Sequence, residues 1–275
     1  MIQDILPRKF DIVYRPSAKP TDGSHICIKC RGKMLLKDGD EIIMPTFGEV
    51  RHLNLNYTYL FSIDGDTFFY ADDESGIELE GYSYKGSSTF RKITPKHMAF
   101  AGITAHQLTQ WYGANKFCPK CGAKLHHDEK ERMMKCGGCG FMIFPRINPS
   151  VIVAVTNGDK LLMTLRTPTS DHHSLVAGFV EVGESFEDTV RREVMEETGI
   201  KIKNIKYYKS QPWSFSDSLL AGYFAELDGD DKITVQKEEL FDAQWVDRSD
   251  IKEEFTDSSM TNEMICLFKD GREPR

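Results

Sequence analysis

Residues 178–200 read GFVEVGESFEDTVRREVMEETGI. Ser185 followed by Asp188 makes a capping-box-like helix start and Gly199 a natural stop, so the spacing predicts a helix over 186–198. Phe186, Val190 and Val194 then recur every four residues as its buried stripe. Glu193, Glu196 and Glu197, at i, i+3 and i+4, project from one face. Carboxylates this crowded repel one another unless something positive binds them. A hard divalent cation with oxygen ligands, Mg²⁺ or Mn²⁺, fits that need. A solvated acidic helix face is the plainer alternative. Against it stand the glycine-rich loop directly before the helix and Arg192, whose planar fork suits a bidentate bond to a glutamate.

Working outward, residues 118–140 read CPKCGAKLHHDEKERMMKCGGCG. The pairs Cys118/Cys121 and Cys136/Cys139 supply four thiolates, a set that matches one tetrahedral Zn²⁺ with no position left for a substrate. Such an ion stabilises a segment too small for its own core and gives no catalysis. His126 and His127, between the pairs, would be ligands only if a cysteine were displaced. A third pair, Cys27/Cys30 in HICIKC, has no second pair near it and reads as a partnerless knuckle or two ordinary strand cysteines rather than a metal site. Cys266 stands alone. Paired cysteines in a reducing compartment point to metal more than to disulfides.

The chain has 275 residues, 40% hydrophobic and 28% charged, with a formal net charge of −7. That is room for two domains, and it excludes a disulfide-stapled mini-protein. The acidic balance gives no support to general attraction to nucleic acid. A local basic strip of Arg132, Lys135 and Arg146 beside the cysteine pairs remains open. The start, MIQDILPRKFDIVY, has no apolar stretch long enough for a signal peptide, and no run is long enough to span a membrane. A cytoplasmic chain is expected.

The expected fold class is mixed α+β. Residues 1–93 form a β-rich domain, with hairpin signals at Asp38-Gly39 before EIIM and at Asp64-Gly65 between YLFSI and DTFFYA. It carries no catalytic motif and reads as structural or dimerising. Thr94 as N-cap and Pro95 as first helical residue open a linking helix over 94–115. The cysteine segment occupies 116–147. A domain over 148–275 follows, opening with SVIVAVTNGDKLLMTLR, a hairpin around Asn157-Gly158.

Residues 178–200 resemble the Nudix box, G-x5-E-x7-R-E-U-x-E-E-x-G-U with U apolar, at each of its defined positions. The resemblance implies a Nudix α/β/α sandwich for 148–275 and hydrolysis of a nucleoside diphosphate linked to another group. It implies that Glu193, Glu196 and Glu197 hold the divalent cation, one of them acting as base through water. Glu197 is the first choice for the most sensitive carboxylate, and Arg192 orients the site. Glu239 in KEELFDAQW aligns with a further metal-binding carboxylate, with Glu238 the alternative if the alignment slips by one.

Residues 210–218, SQPWSFSDS, resemble S-Q-P-W-P-F-P-x-S of the NADH pyrophosphatase (NAD diphosphatase) branch. That branch also places a β-rich domain and a four-cysteine zinc ribbon before the Nudix domain. Ser214 and Ser216 replace prolines, so a less rigid loop is expected. The resemblance implies substrate contacts from Gln211 and Trp213, although QPW also reads as a hydrophobic anchor. It implies stacking of the nicotinamide between Phe179 and Phe144, the latter from a partner subunit, hence a homodimer. Three functions follow: Mg²⁺-dependent hydrolysis of the dinucleotide NADH or NAD to nicotinamide mononucleotide and AMP; removal of NAD caps from RNA 5′ ends; or a non-catalytic zinc-ribbon regulator that senses a nucleotide.

Overall fold

The computed structural model describes residues 1–73, 75–91, 94–168 and 173–274. They divide into two compact units, Ile2–Arg146 and Ile147–Arg275, the second including Met1. The fold is mixed α+β, as the sequence suggests.

The first unit is built on a six-stranded sheet. Its strands are β1 (Phe10–Asp11), β2 (His25–Cys30), β3 (Lys33–Lys37), β4 (Tyr57–Ile63), β5 (Asp66–Asp72) and β6 (Tyr82–Lys85), in the order β1-β4-β5-β2-β3-β6. Only β2 and β5 run parallel in it. The short helix α1 (Phe47–Val50) contributes Val50 to a core with Ile26, Ile28, Leu35, Tyr59 and Phe69. The Asp64-Gly65 turn joins β4 to β5 as expected.

The signal at Asp38-Gly39 does not make a hairpin. Lys37 N–H donates to Ile43 O at 2.9 Å, and the EIIM run that follows forms no strand. Pro45 interrupts any ladder there, and β6 takes the edge of β3 instead, with Leu35 opposite Tyr84. Helix α2 (Lys96–Ala114) starts one residue later than the sequence suggested. Pro95 is its N-cap, and a ψ of 145° keeps that residue extended and outside the helix.

Helix α2 buries His106, which is 6% exposed and whose Nδ1 has no hydrogen-bond partner among the described residues. Burial disfavours the charged imidazolium and pushes its pKa down to about 4. Between pH 6.5 and 4 the unfolded chain therefore binds more protons at this site than the folded one. We expect the stability of this unit to fall by roughly 2–3 kcal/mol across that window. Urea unfolding of a His106→Leu protein should show a shallower loss over the same range.

The cysteine segment forms a three-stranded antiparallel sheet of β7 (Leu125–His127), β8 (Met134–Cys136) and β9 (Met142–Ile143). Within the first unit it is fixed to the six-stranded sheet domain by Tyr14 Oη, which donates to Asp128 O at 2.9 Å, and by Arg132, whose guanidinium lies 5.2 Å from the centre of the Tyr14 ring and donates to Leu60 O. Arg132 is thus an internal anchor. The basic strip suggested by the sequence loses one of its three members.

In the second unit the strands are β10 (Asn148–Asn157), β11 (Lys160–Leu165), β12 (Val176–Phe179), β13 (Ile202–Trp213), β14 (Ser218–Leu227) and β15 (Asp242–Asp247). The order is β13-β14-β10-β11-β15, with β12 also on β10. Strand β10 runs parallel to β14 and antiparallel to its other partners. Side chains alternate along it. Val151, Val153 and Val155 face Val190 and Val194 of α3 (Phe186–Thr198), whereas Ile152 and Ala154 face Met260, Met264 and Phe268 of α4 (Met260–Lys269). The sheet lies between two helices, an α/β/α sandwich.

Helix α3 has the bounds its caps foretold. Ser185 Oγ accepts from Asp188 N–H at 3.2 Å, and Gly199 closes the helix in the left-handed region. Val190 and Val194 are fully buried, each contributing roughly 1.5–3 kcal/mol.

Candidate active site

The site is assembled where β12 meets α3. Val151 of β10 pairs with Gly178 of β12, and the carboxyl group of Glu193 lies directly over Gly178. A Cβ at position 178 would stand 2.0 Å from Glu193 Cδ and from its Oε1. The glycine is therefore a matter of close approach: no larger residue leaves this space to the carboxylate.

Arg192 is the hub of the surrounding network. Its Nε and Nη2 donate to the two oxygens of Glu184 at 2.6 and 2.9 Å, a bidentate pair. Its Nη1 donates to Glu193 Oε1 at 2.8 Å and to Glu196 Oε2 at 3.0 Å, and Nη2 also reaches Phe179 O at 2.9 Å. The sequence led us to expect the fork on a helix glutamate; the structure puts it on Glu184, in the preceding loop. Glu184 also accepts from Glu181 N–H and Thr189 Oγ1. The Arg192 bonds come first among the causes that hold its carboxyl down at about 2.

Three carboxylates converge beside this hub. Oxygens of Glu193, Glu197 and Glu239 lie within 4.8 Å of one another. Glu196 is not in that set. Its side chain is half exposed and turned to Arg192. Glu239 is brought in by the segment that packs on the C-terminal end of α3, where Thr234 N–H donates to Thr198 O and Gln236 N–H to Glu197 O at 2.9 and 3.0 Å.

Glu197 is 1% exposed, and its Oε2 has no hydrogen-bond partner among the described residues. Burial raises its pKa to about 7, with Arg166 opposing the rise. Glu193 is raised for the same reason, with Arg192 opposing. An unpartnered buried carboxylate oxygen costs stability, and these three oxygens are the donor set a hard divalent cation takes. Arg166 and Glu184 had no role in the sequence reading. Arg166 lies twelve residues before the box, and Glu184 was visible only as a box position.

The remaining candidates fall in different settings. Phe179 is about half exposed, with its carbonyl held by Arg192; Phe144 is exposed to the same degree. The rings of Trp213 and Phe215 are 4.8 Å apart. Gln211 is fully buried, with Oε1 accepting from Met260 N–H at 2.7 Å and Nε2 donating to Ser258 O at 3.4 Å. Its carboxamide thereby ties β13 to the first turn of α4. Gln211→Ala would leave the Met260 N–H buried without that acceptor, an expected loss of about 1–3 kcal/mol in urea unfolding.

The four ribbon cysteines also converge, with all sulfurs within 4.8 Å of one another. Cys118 and Cys139 Sγ are 3.6 Å apart and Cys121 and Cys136 Sγ 3.5 Å, and all four are free thiols. Sulfurs around a tetrahedral ion at ~2.3 Å are separated by about 3.8 Å, so this spacing suits a metal. Neither histidine joins the set; His127 rests against Tyr112, ring centres 5.0 Å apart. Cys27 is fully buried against Met44 Sδ and, with Cys30, belongs to no metal-ligating group among the described residues.

Comparison with known proteins shows what the second unit resembles. Residues 146–266 match the NUDIX domain. Over 153 residues, 54% of this chain, the sequence is 43% identical to the NAD-capped RNA hydrolase NudC of Haemophilus influenzae strain PittGG, covering 56% of that protein. It is 45% identical over 141 residues, 50% of this chain and 54% of the relative, to the NAD-capped RNA hydrolase NudC of Klebsiella pneumoniae strain 342. The chain thus spans about half the length of the curated relatives it matches. A crystal structure of a NUDIX hydrolase from Nitrosomonas europaea aligns over 56% of this chain and 91% of that one, with a TM-score of 0.48 and 19% identity. The sandwich, the box helix and the matched residues coincide: the chain carries a NUDIX domain at residues 146–266.

Proposed function

We propose that the chain is a Nudix hydrolase that cleaves the diphosphate bond of NADH or NAD, giving nicotinamide mononucleotide and AMP. The observation that carries this reading is the buried Glu197, whose Oε2 has no partner among the described residues and whose carboxylate lies within 4.8 Å of those of Glu193 and Glu239. Those three residues fit a divalent cation, Mg²⁺ or Mn²⁺, with Glu196 at the margin of the site. When bound, such a cation polarises phosphoryl oxygens and lowers the pKa of a water. The protein's own part is positional. Arg192 locks Glu193 and Glu184 in place, Gly178 leaves room for the Glu193 carboxylate, and burial keeps Glu197 Oε2 free of a competing hydrogen bond among the described residues. A carboxylate of the triplet accepts the proton of the attacking water.

The SQPW segment supports a dinucleotide substrate, and the exposed rings of Phe179 and Phe144 suit stacking on a planar base. In this reading Phe144 comes from the partner subunit of a homodimer, and Trp213 lines the substrate side. Within it residues 1–93, 94–115, 116–147 and 148–275 act as β-rich domain, linking helix, zinc ribbon and catalytic domain, in the cytoplasm. No helix among the described residues is long and apolar enough to cross a membrane.

The names of the relatives favour a second reading, removal of NAD caps from RNA. Turnover of NAD-capped RNA against free NADH at equal concentration separates the two. The expected result is faster release of nicotinamide mononucleotide from NADH; a clear preference for capped RNA, which leaves a 5′-phosphorylated RNA, replaces the first reading with the second. Salt-sensitive DNA binding without any turnover would instead favour a nucleotide-sensing regulator.

For the ribbon we propose one structural Zn²⁺ on Cys118, Cys121, Cys136 and Cys139. Elemental analysis should find about one zinc per chain in the parent and none in Cys136→Ser. Two per chain would bring Cys27 and Cys30 back as ligands.

A further inference from the structure

We propose that Arg166 is a substrate-contacting residue that binds the non-bridging oxygens of the diphosphate. The inference takes its ligand from the hydrolase reading above and its residue from the geometry. Two guanidinium groups flank the carboxylate triplet, and they differ in what they leave available. Each of the three nitrogens of Arg192 is hydrogen-bonded to an acidic side chain, and Nη2 also to the Phe179 carbonyl. Arg192 therefore organises the site and has little left for a ligand.

Arg166 is held by a single kind of contact. Its Nη2 donates to Ala177 O at 2.9 Å and stands 3.8 Å from Glu197 Oε1, beyond hydrogen-bond reach, while 52% of the side chain is exposed. The contact joins a half-exposed guanidinium to a buried carboxylate without a hydrogen bond, and Nη2 alone has a partner among the described residues, so the rest of the fork is open to a ligand. Its position fits that use. Arg166 follows β11 directly, and Ala177 precedes Gly178 on β12; both strands pair with β10. The sheet against which α3 packs also carries this guanidinium, beside the carboxylates of that helix.

Charge points the same way. Glu184 and Glu196 add to the negative charge of the ionised triplet, and Arg192 offsets only one of the five, so a divalent cation leaves the site negative. An incoming diphosphate would be repelled by that remainder. Arg166 offsets part of it, and its planar fork suits two phosphate oxygens at once.

Titration calorimetry on the zinc-loaded full chain tests this with ADP and AMP as probes, in Ca²⁺ and without reference to turnover. The parent should bind ADP more tightly than AMP. Arg166→Ala should weaken ADP binding about ten- to hundred-fold, with a smaller effect on AMP, and Arg166→Lys should recover part of the loss. Ca²⁺ titrated alone should bind Arg166→Ala no more weakly than the parent, since a repelling positive charge is gone. Unchanged ADP affinity in Arg166→Ala overturns the proposal, as does absence of ADP binding by the parent. An equal loss of ADP, AMP and Ca²⁺ overturns it too, because that marks a structural role. A chain that needs Arg166 for ADP yet releases no AMP from any dinucleotide keeps this inference and refutes the hydrolase reading.

Discussion

Glu197→Gln is expected to abolish nearly all divalent-cation-dependent turnover while leaving a folded protein. The carboxylate is buried within the triplet, and Oε2 has no partner among the described residues to replace what it would hold. A glutamine keeps the shape, removes the charge, and puts a donor where a cation requires an acceptor. Losing a charged ligand of this kind costs several kcal/mol of transition-state stabilisation, so kcat should fall roughly 10³-fold.

The same change should act oppositely on the cation-free protein. With a folded pKa of about 7 against an ordinary 4.5, Glu197 binds more protons folded than unfolded in between. Its contribution to stability therefore declines as pH rises from 4.5 through 7 and stays low above. Glu197→Gln removes that penalty. At pH 8, in buffer without added divalent cation, its melting temperature should equal or exceed the parent's, and added Mg²⁺ should shift it little. A variant that melts well below the parent, or that retains the full Mg²⁺ shift, contradicts this account of Glu197.

Gly178→Ala should produce the second largest effect, and by a different route. The added methyl would sit 2.0 Å from the Glu193 carboxyl, the far end of a flexible side chain, so the backbone need not move. Glu193 must leave its place beside Glu197 and Glu239 instead. A displacement of about an ångström at a reacting centre costs on the order of 10² in rate, and cation affinity should drop with it. Circular dichroism and the urea midpoint should stay close to the parent's, since Val190 and Val194 keep their packing. Parent-like kcat in Gly178→Ala would show that Glu193 does not need its present position.

Much of this was legible in the sequence because local chemistry specified it. Ser185 and Gly199 mark both ends of α3, and a four-residue apolar spacing fixes the face it buries. The continuous apolar run VIVAV does the same for β10, which is buried on both sides. The two cysteine pairs announce their convergence by spacing alone.

What the sequence hid depends on the third dimension. Glu196 has the same helical spacing as its neighbours, yet Arg192 draws it out of the triplet. The resemblance named Glu239, but the docking of its segment on the end of α3 rests on backbone bonds that no side-chain pattern reports. Arg192 pairs with Glu184 because the loop before α3 folds back, and Arg166 arrives from another strand. Gln211 sits inside a recognition-like motif but is buried, where its carboxamide holds α4. The EIIM run has strand-forming residues, but Pro45 and the competing edge pairing of β6 decide against a strand.

The central claim is that the Glu193, Glu197 and Glu239 triplet makes this chain a cation-dependent dinucleotide hydrolase. Coupled AMP release from NADH, NAD, ADP-ribose and diadenosine compounds, with and without added Mg²⁺ or Mn²⁺, tests it most directly. AMP should appear from NADH or NAD only with the cation, and Glu197→Gln should reduce it to near background. No AMP from any of these substrates in the presence of either cation, from a zinc-loaded and folded chain, would contradict the claim.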